Sequence, residues 1–289
     1  MPQQTLPAGV RIDSNNHGRQ FIHIEHSAVQ ACIALQGAHI IDCTPAGQQP
    51  LLWMSPIDPC LPDTALRGGV PVCWPWFADE RSGPAHGIAR TGNWQLHEAQ
   101  ADHASVRLVL RLSPEDIARQ FPDEAWAVEI EFRLGKALDI ALTTTNTGRQ
   151  PQRLSQALHS YLPVADIDEA EITGLRGCAY IDKLSDGATV IQSSALRFAQ
   201  EVDRIYFNHG AELQLHTGND LLSIRRDGSM SVVVWNPWQD KSARLSQFPA
   251  DGYRTMVCVE AANAGPDGRI LAPGETHTLR TVIGRSVEG

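Results

Sequence analysis

The sequence contains no Cys-x-x-Cys pair, no Asn-x-Ser/Thr acceptor and no apolar run approaching the roughly 18 residues of a membrane-spanning helix. Its six cysteines (Cys32, Cys43, Cys60, Cys73, Cys178, Cys258) are scattered along the chain, so free thiols in a reducing compartment are expected instead of a disulfide framework. The opening residues, MPQQTLPAGVRIDSNN, lack a charged start followed by an apolar core, which predicts no export signal and a cytoplasmic address. Basic charge is also in short supply. A net charge of −9 argues against a broad nucleic-acid or acidic-membrane surface, since either partner needs a basic face. Any anionic partner must then be small and locally clamped.

Several catalytic signatures are missing as well. There is no G-x-G-x-x-G opening a helix, no P-loop, no G-x-S-x-G elbow and no H-E-x-x-H. His23 and His26 are three apart on a strand pattern and point to opposite faces, and His97-Glu98 lacks a second histidine. No metal site is expected. With 42% hydrophobic and 20% charged residues and no composition break or linker, residues 1–289 read as one globular domain with a sizeable core.

What is present is mainly two-residue periodicity. Gln20 to Glu25, Val29 to Leu35 and His39 to Cys43 form an opening meander. Val106, Leu108, Leu110 and Leu112 share one face, as do Trp126, Val128, Ile130, Phe132 and Leu134, and Leu138, Ile140 and Leu142 continue the pattern. Further strands are expected at Glu212 to Thr217, Leu221 to Arg226, Ser231 to Trp235, Thr255 to Glu260 and Thr276 to Ile283. Only Pro114 to Phe121 looks helical, with Ser113 as N-cap and Pro114 at the first helical position. The sum is an all-β chain, a large antiparallel β-sandwich with few short helices.

One stretch breaks the periodicity. LRGGVPVCWPWFADERSGPAHGIAR, from Leu66 to Arg90, reads as a stiff, shaped loop that could hold Arg67 and Arg90 toward one anion, with Trp74, Trp76 and Phe77 as walls. A corner plugging the core, with both arginines in surface ion pairs, is the plainer alternative. Leu154 to Leu162 reads as one strand whose Ser155, Ala157, His159 and Tyr161 lie opposite the leucines. His159 therefore suits either a cleft or a solvated face. Glu260 ends the apolar strand TMVCVE, either emerging into solvent or buried as a general base. Together His159 and Glu260 would form an acid–base couple.

RGGVPVCWPWF and the downstream HGIAR resemble the D-hexose-6-phosphate mutarotases, also called glucose-6-phosphate 1-epimerases, of the galactose-mutarotase-like superfamily. The resemblance continues through HSYLPV at His159, GLRGCAYIDK near Asp182, EVDRIY at Asp203, VVVWNPW at Trp235 and MVCVEAAN at Glu260. It departs at Ile88, where many relatives carry Phe, and at Ala85. The resemblance implies a supersandwich fold and a cofactor-free isomerase that interconverts the anomers of a hexose 6-phosphate; a monomer is expected. It also implies His159 as acid, Glu260 as base, Arg67 and Arg90 as phosphate clamp, and His86 on a sugar hydroxyl or the phosphate. Asp203 becomes a hydroxyl acceptor, or else a turn residue beside Arg204, and Trp74 or Trp235 could stack on the sugar where they are not core. Two alternatives stand beside this reading: an aldose 1-epimerase acting on unphosphorylated sugar, and a non-catalytic carbohydrate or sugar-phosphate binding protein.

Overall fold

Alternation along Val106–Leu112 and Trp126–Leu134 buries one face of each strand and leaves Arg107, Arg111, Glu129 and Glu131 to pair on the other. In the computed structural model, which describes residues 5–185, 188–207, 210 and 212–286, these strands belong to a nine-stranded antiparallel sheet. Its order runs Leu196–Arg197, Glu171–Thr173, Leu213–His216, Leu221–Asp227, Thr276–Arg285, Ala137–Asn146, Trp126–Leu134, Val106–Leu112, Trp94–Ala101. A second, eight-stranded sheet runs Thr189–Ile191, Ala179–Asp182, Val202–Phe207, Ser231–Asn236, Met256–Asn263, Gln156–Leu158, Val72–Cys73, with Tyr161–Pro163 also paired to Met256–Asn263. A four-stranded meander covers Val10–Ser14, Gln20–His26, Val29–Ala34 and His39–Pro45, and Gln152–Leu154 pairs with Arg269–Leu271.

The two large sheets share one apolar core. Leu108, Leu110, Ile130, Phe132, Ile140 and Leu142 from the first meet Tyr206, Val232, Val234, Val257 and Val259 from the second. Each such fully buried side chain contributes on the order of 1.5–3 kcal/mol. Period two then dictates what the far face of the eight-stranded sheet carries: Ile205, Val233 and Ala262 in one small cluster, and Trp235, Cys258 and Tyr161 in another. That second face is where the polar residues collect.

The helix forms as expected over Pro114–Gln120, with the Ser113 hydroxyl accepting from the Asp116 amide at 3.3 Å. A second short helix, Trp238–Ser242, was not expected. Two sequence readings need correction. Leu154 to Leu162 is not one strand but three pieces, because the Ser155 amide bonds to Pro75 O at 3.1 Å and the Ser160 amide folds back on Leu158 O at 2.9 Å. Leu66 to Arg90 is more regular than a loop. It contributes Val72–Cys73 to the eight-stranded sheet and makes isolated bridges at Gly68, Val70 and Trp74.

Candidate active site

Sheet register brings the polar candidates together. Asp203 pairs with Trp235, Trp235 with Cys258 and Cys258 with Tyr161, so four adjacent strands present one row across the sheet. In the next row Ile205 pairs with Val233 and Val233 with Glu260. Glu260 and His159 face each other there, with His159 Nε2 3.4 Å from Glu260 Oε1. His159 is 9% and Glu260 1% exposed. The His159 ring stacks on Tyr161 at 4.9 Å and meets the edges of Trp235 at 6.0 Å and His86 at 5.7 Å. Three aromatic neighbours fix its plane.

Both glycine-bearing motifs exist for close approach. Gly69 has φ +60, and a Cβ there would meet Ile40 O at 2.2 Å; its own carbonyl accepts from the Tyr161 amide at 2.9 Å. At Gly87, φ +74, a Cβ would lie 2.0 Å from Trp74 O. This glycine seats His86, itself left-handed at φ +66, against Phe77 at 5.1 Å. The Ala78 amide donates to His86 Nδ1 at 3.3 Å, so the ring is neutral with its proton on Nε2. Burial, then the charges of Arg90, Lys183 and Arg67, push His86 down to about 3.

Burial first, then His86, Arg90 and Arg67, drives His159 well below the ordinary histidine range. Glu260 is driven well above the ordinary carboxylate range by burial and then by Asp203, with Lys183 opposing. The couple thus favours its uncharged forms. Among the described residues His159 Nδ1, Glu260 Oε2 and Arg67 Nε are buried without a hydrogen-bond partner. Each unpaired buried atom costs about 1–3 kcal/mol, so stability alone does not explain these placements.

Arg67 and Arg90 form no ion pair among the described residues, which sets aside the surface-pair alternative. Arg67 lies beside the Tyr161 hydroxyl, and Arg90 Nη2 donates to Ala85 O at 2.5 Å. Asp203 sits on the strand Val202–Phe207 and not in a turn, its carboxylate 3.3 Å from Lys183 Nζ. Trp235 lines the site. Trp74 does not: it is fully buried in the main core against Phe121 and Trp126, donating to the Thr144 hydroxyl at 3.1 Å. Trp76 likewise packs on Phe121, leaving Phe77 as the aromatic of that segment that turns to the site.

Lys183 carries no signal in the sequence because it follows a four-residue strand too short to show a period. Its amide donates to Asp203 O at 2.9 Å, and its ammonium stands 5.7 Å over the Phe77 ring. The neighbouring Asp182 instead pairs with Arg204 at 3.1 Å. Cys73 and Cys258 lie against the same wall, where burial pushes both thiols up and keeps them protonated. They act as small apolar fillers. Among the described residues no three His, Cys, Asp or Glu side chains gather in a metal-holding cluster.

A family model described as aldose 1-epimerase matches residues 20–284. The chain belongs to this family. Within it, the chain is 33% identical over 266 residues to the Escherichia coli K12 protein named "Putative glucose-6-phosphate 1-epimerase", covering 90% of this chain and 89% of that one. A Salmonella typhimurium protein of the same name is 35% identical over 248 residues, covering 84% and 83%. A solved Salmonella typhimurium structure described as a "putative mutarotase (YeaD)" superposes with a TM-score of 0.89 at 31% identity, covering 98% of this chain and 95% of that one. The fold extends further, to a "galactose mutarotase related enzyme" from Lactobacillus acidophilus at 14% identity and TM-score 0.69, covering 92% and 97%. As a member of the aldose 1-epimerase family the protein is an isomerase, and the all-β sandwich read from its periodicity is the fold observed.

Proposed function

We infer that the protein interconverts the α and β anomers of a hexose 6-phosphate through His159 and Glu260, with Arg67 and Arg90 holding the phosphate. The observation that carries this reading is the buried His159–Glu260 pair at 3.4 Å, ringed by cationic side chains that make no ion pair with it. The names of the E. coli and Salmonella relatives point to the same substrate class.

Mutarotation asks for one proton to leave the anomeric hydroxyl and one to reach the ring oxygen. Glu260 takes the first and His159 delivers the second from Nε2, the C1–O5 bond opens, and the aldehyde turns about C1–C2. Closure on the other face returns both protons. During the open-chain interval Glu260 is protonated and His159 neutral, the charge state that burial favours for both groups. The apolar wall therefore stabilises the pair most when the ring is open. Asp203, held by Lys183, accepts from a ring hydroxyl, neutral His86 donates from Nε2, and Trp235 faces the sugar. The arginine forks suit phosphate because each can give paired charge-assisted hydrogen bonds.

Exchange NMR on glucose 6-phosphate and on glucose tests this reading. Faster anomer exchange on the phosphate ester than on the plain sugar is expected. Equal acceleration of both would favour an aldose 1-epimerase without phosphate preference, and binding without any acceleration would favour the non-catalytic alternative.

A further inference from the structure

We propose that Arg19 and Gln36 are positioning residues for substrate selection, a polar brace that ties the segment carrying Arg67 to the segment carrying Arg90. The proposal rests on the phosphate-clamp reading given above. Arg19 is 2% exposed and forms no ion pair among the described residues. Its guanidinium donates instead to Leu61 O at 2.9 Å, Thr64 O at 3.0 Å and Gln36 Oε1 at 3.3 Å. Burial disfavours this cation, and the charges of Asp58 and Asp63 nearby offset that only in part, a cost that an apolar side chain in the same space would avoid. Two main-chain carbonyls held by one rigid fork are what that placement gains.

Gln36 completes the brace. Its Oε1 also accepts from the Asp63 amide at 2.8 Å, and its Nε2 donates to Asp63 Oδ1 at 2.9 Å and to Thr91 O at 3.1 Å. One amide thus touches both segments, four residues before Arg67 and one residue after Arg90. On the first side the chain adopts positive φ at Cys60 (51°) and Asp63 (59°), a shape these residues rarely take unaided. Asn15 Nδ2 donates to Cys60 O at 3.0 Å, and the Asp58 carboxylate accepts from the amides of Cys60 and Arg67 at 2.8 and 2.7 Å. On the second side Gly37 N donates to Gly92 O at 3.0 Å, and Gln36 bridges Asn93. The spacing of the two main-chain segments that carry Arg67 and Arg90 is therefore held by residues that make no hydrogen bond to His159 or Glu260.

Anomer-exchange kinetics of Gln36→Ala, Arg19→Lys and Arg67→Ala on glucose 6-phosphate and glucose test the brace. Displacement of a binding group by about 1 Å can cost up to ~100-fold, so Gln36→Ala should raise KM for the phosphate ester several-fold or more while leaving kcat/KM on glucose unchanged. In an Arg67→Ala background Gln36→Ala should add little, because it acts through Arg67 and its spacing from Arg90. Losses shared equally by both sugars, or full additivity with Arg67→Ala, would overturn the proposal. So would an unaltered phosphate preference in Gln36→Ala where Arg67→Ala loses it, and the clamp would then still stand. If Arg67→Ala itself keeps the preference, the clamp reading fails and the brace with it. Should Arg19→Lys fail to fold, the half-buried Gln36 variant carries the test alone.

Discussion

His159 and Glu260 are cross-strand neighbours. Leu158 pairs with Ala261 and Tyr161 with Cys258, so the register leaves the histidine opposite the glutamate, Nε2 to Oε1 at 3.4 Å. The chain turns at His159 and Ser160 without losing that register, which lets a short polar break sit inside an otherwise apolar sheet. On the proposed mechanism the two side chains work as one unit. His159→Gln and Glu260→Gln should each lower kcat by about 10²–10⁴-fold, the usual contribution of general acid–base catalysis, and the double variant should be little worse than either single one. Exchange NMR at saturating glucose 6-phosphate reads all three. Full additivity of the two losses would mean that the groups act separately.

The pair's charge state sets the pH dependence. On the proposed mechanism the working form carries one proton between the two groups. Since His159 is held below its ordinary range and Glu260 above it, that form should give a plateau in kcat/KM whose acid limb belongs to the lowered His159 and whose alkaline limb belongs to the raised Glu260. Lys183 opposes the upward shift of Glu260 and Asp203 promotes it. Lys183→Met should therefore move the alkaline limb to higher pH, and Asp203→Asn should move it lower. A pH–rate series corrected for uncatalysed anomerisation checks both, and shifts of the opposite sign would remove Glu260 from the limb.

On the proposed function, selectivity belongs to a different part of the chain. Charge-assisted hydrogen bonds contribute about 1.5–3 kcal/mol each, so Arg67→Ala or Arg90→Ala should lower kcat/KM for the phosphate ester by roughly 10–100-fold. The effect on a plain aldose should be much smaller. A comparison of the two substrates across both variants measures it, and parallel losses would return the arginines to a purely structural role.

Much of this was legible because a strand exposes its pattern directly. The alternation in Trp126–Leu134 and Met256–Asn263 predicts which side chains share a face, and it placed Glu260 with Cys258. It failed where elements are short. Ala179–Asp182, Thr189–Ile191 and Leu196–Arg197 carry too few residues for a period, so Lys183 passed unseen. Trp74 stays open between core and sugar wall in the sequence for another reason: its segment alternates between core and site, with Trp74 and Trp76 on the core side and Cys73 and Phe77 on the other. The glycines and prolines around it hid a strand. The brace of Arg19 and Gln36 has no local signature at all, since its partners are main-chain carbonyls and amides that only the fold brings near.

Buried neutral histidines also make stability depend on pH in a defined direction. His39 is 1% exposed, donates from Nε2 to Gly68 O at 2.7 Å, and is pushed down to about 3 by burial, with the Arg19 and Arg90 charges adding to the shift. Between its ordinary value near 6.5 and about 3 the unfolded chain binds a proton that the native state refuses. Stability should therefore fall as pH drops through that window, by up to about 1.4 kcal/mol per pH unit for this group. Glu260 acts with the opposite sign, because its raised value means the native state keeps a proton that the unfolded chain loses above about 4.5. Urea unfolding between pH 4.5 and 6.5 separates the two. His39→Gln, which retains a donor for Gly68, should flatten the acid loss, and Glu260→Gln should steepen it. A Glu260→Gln curve parallel to that of the parent protein would show that Glu260 binds its proton no more tightly folded than unfolded.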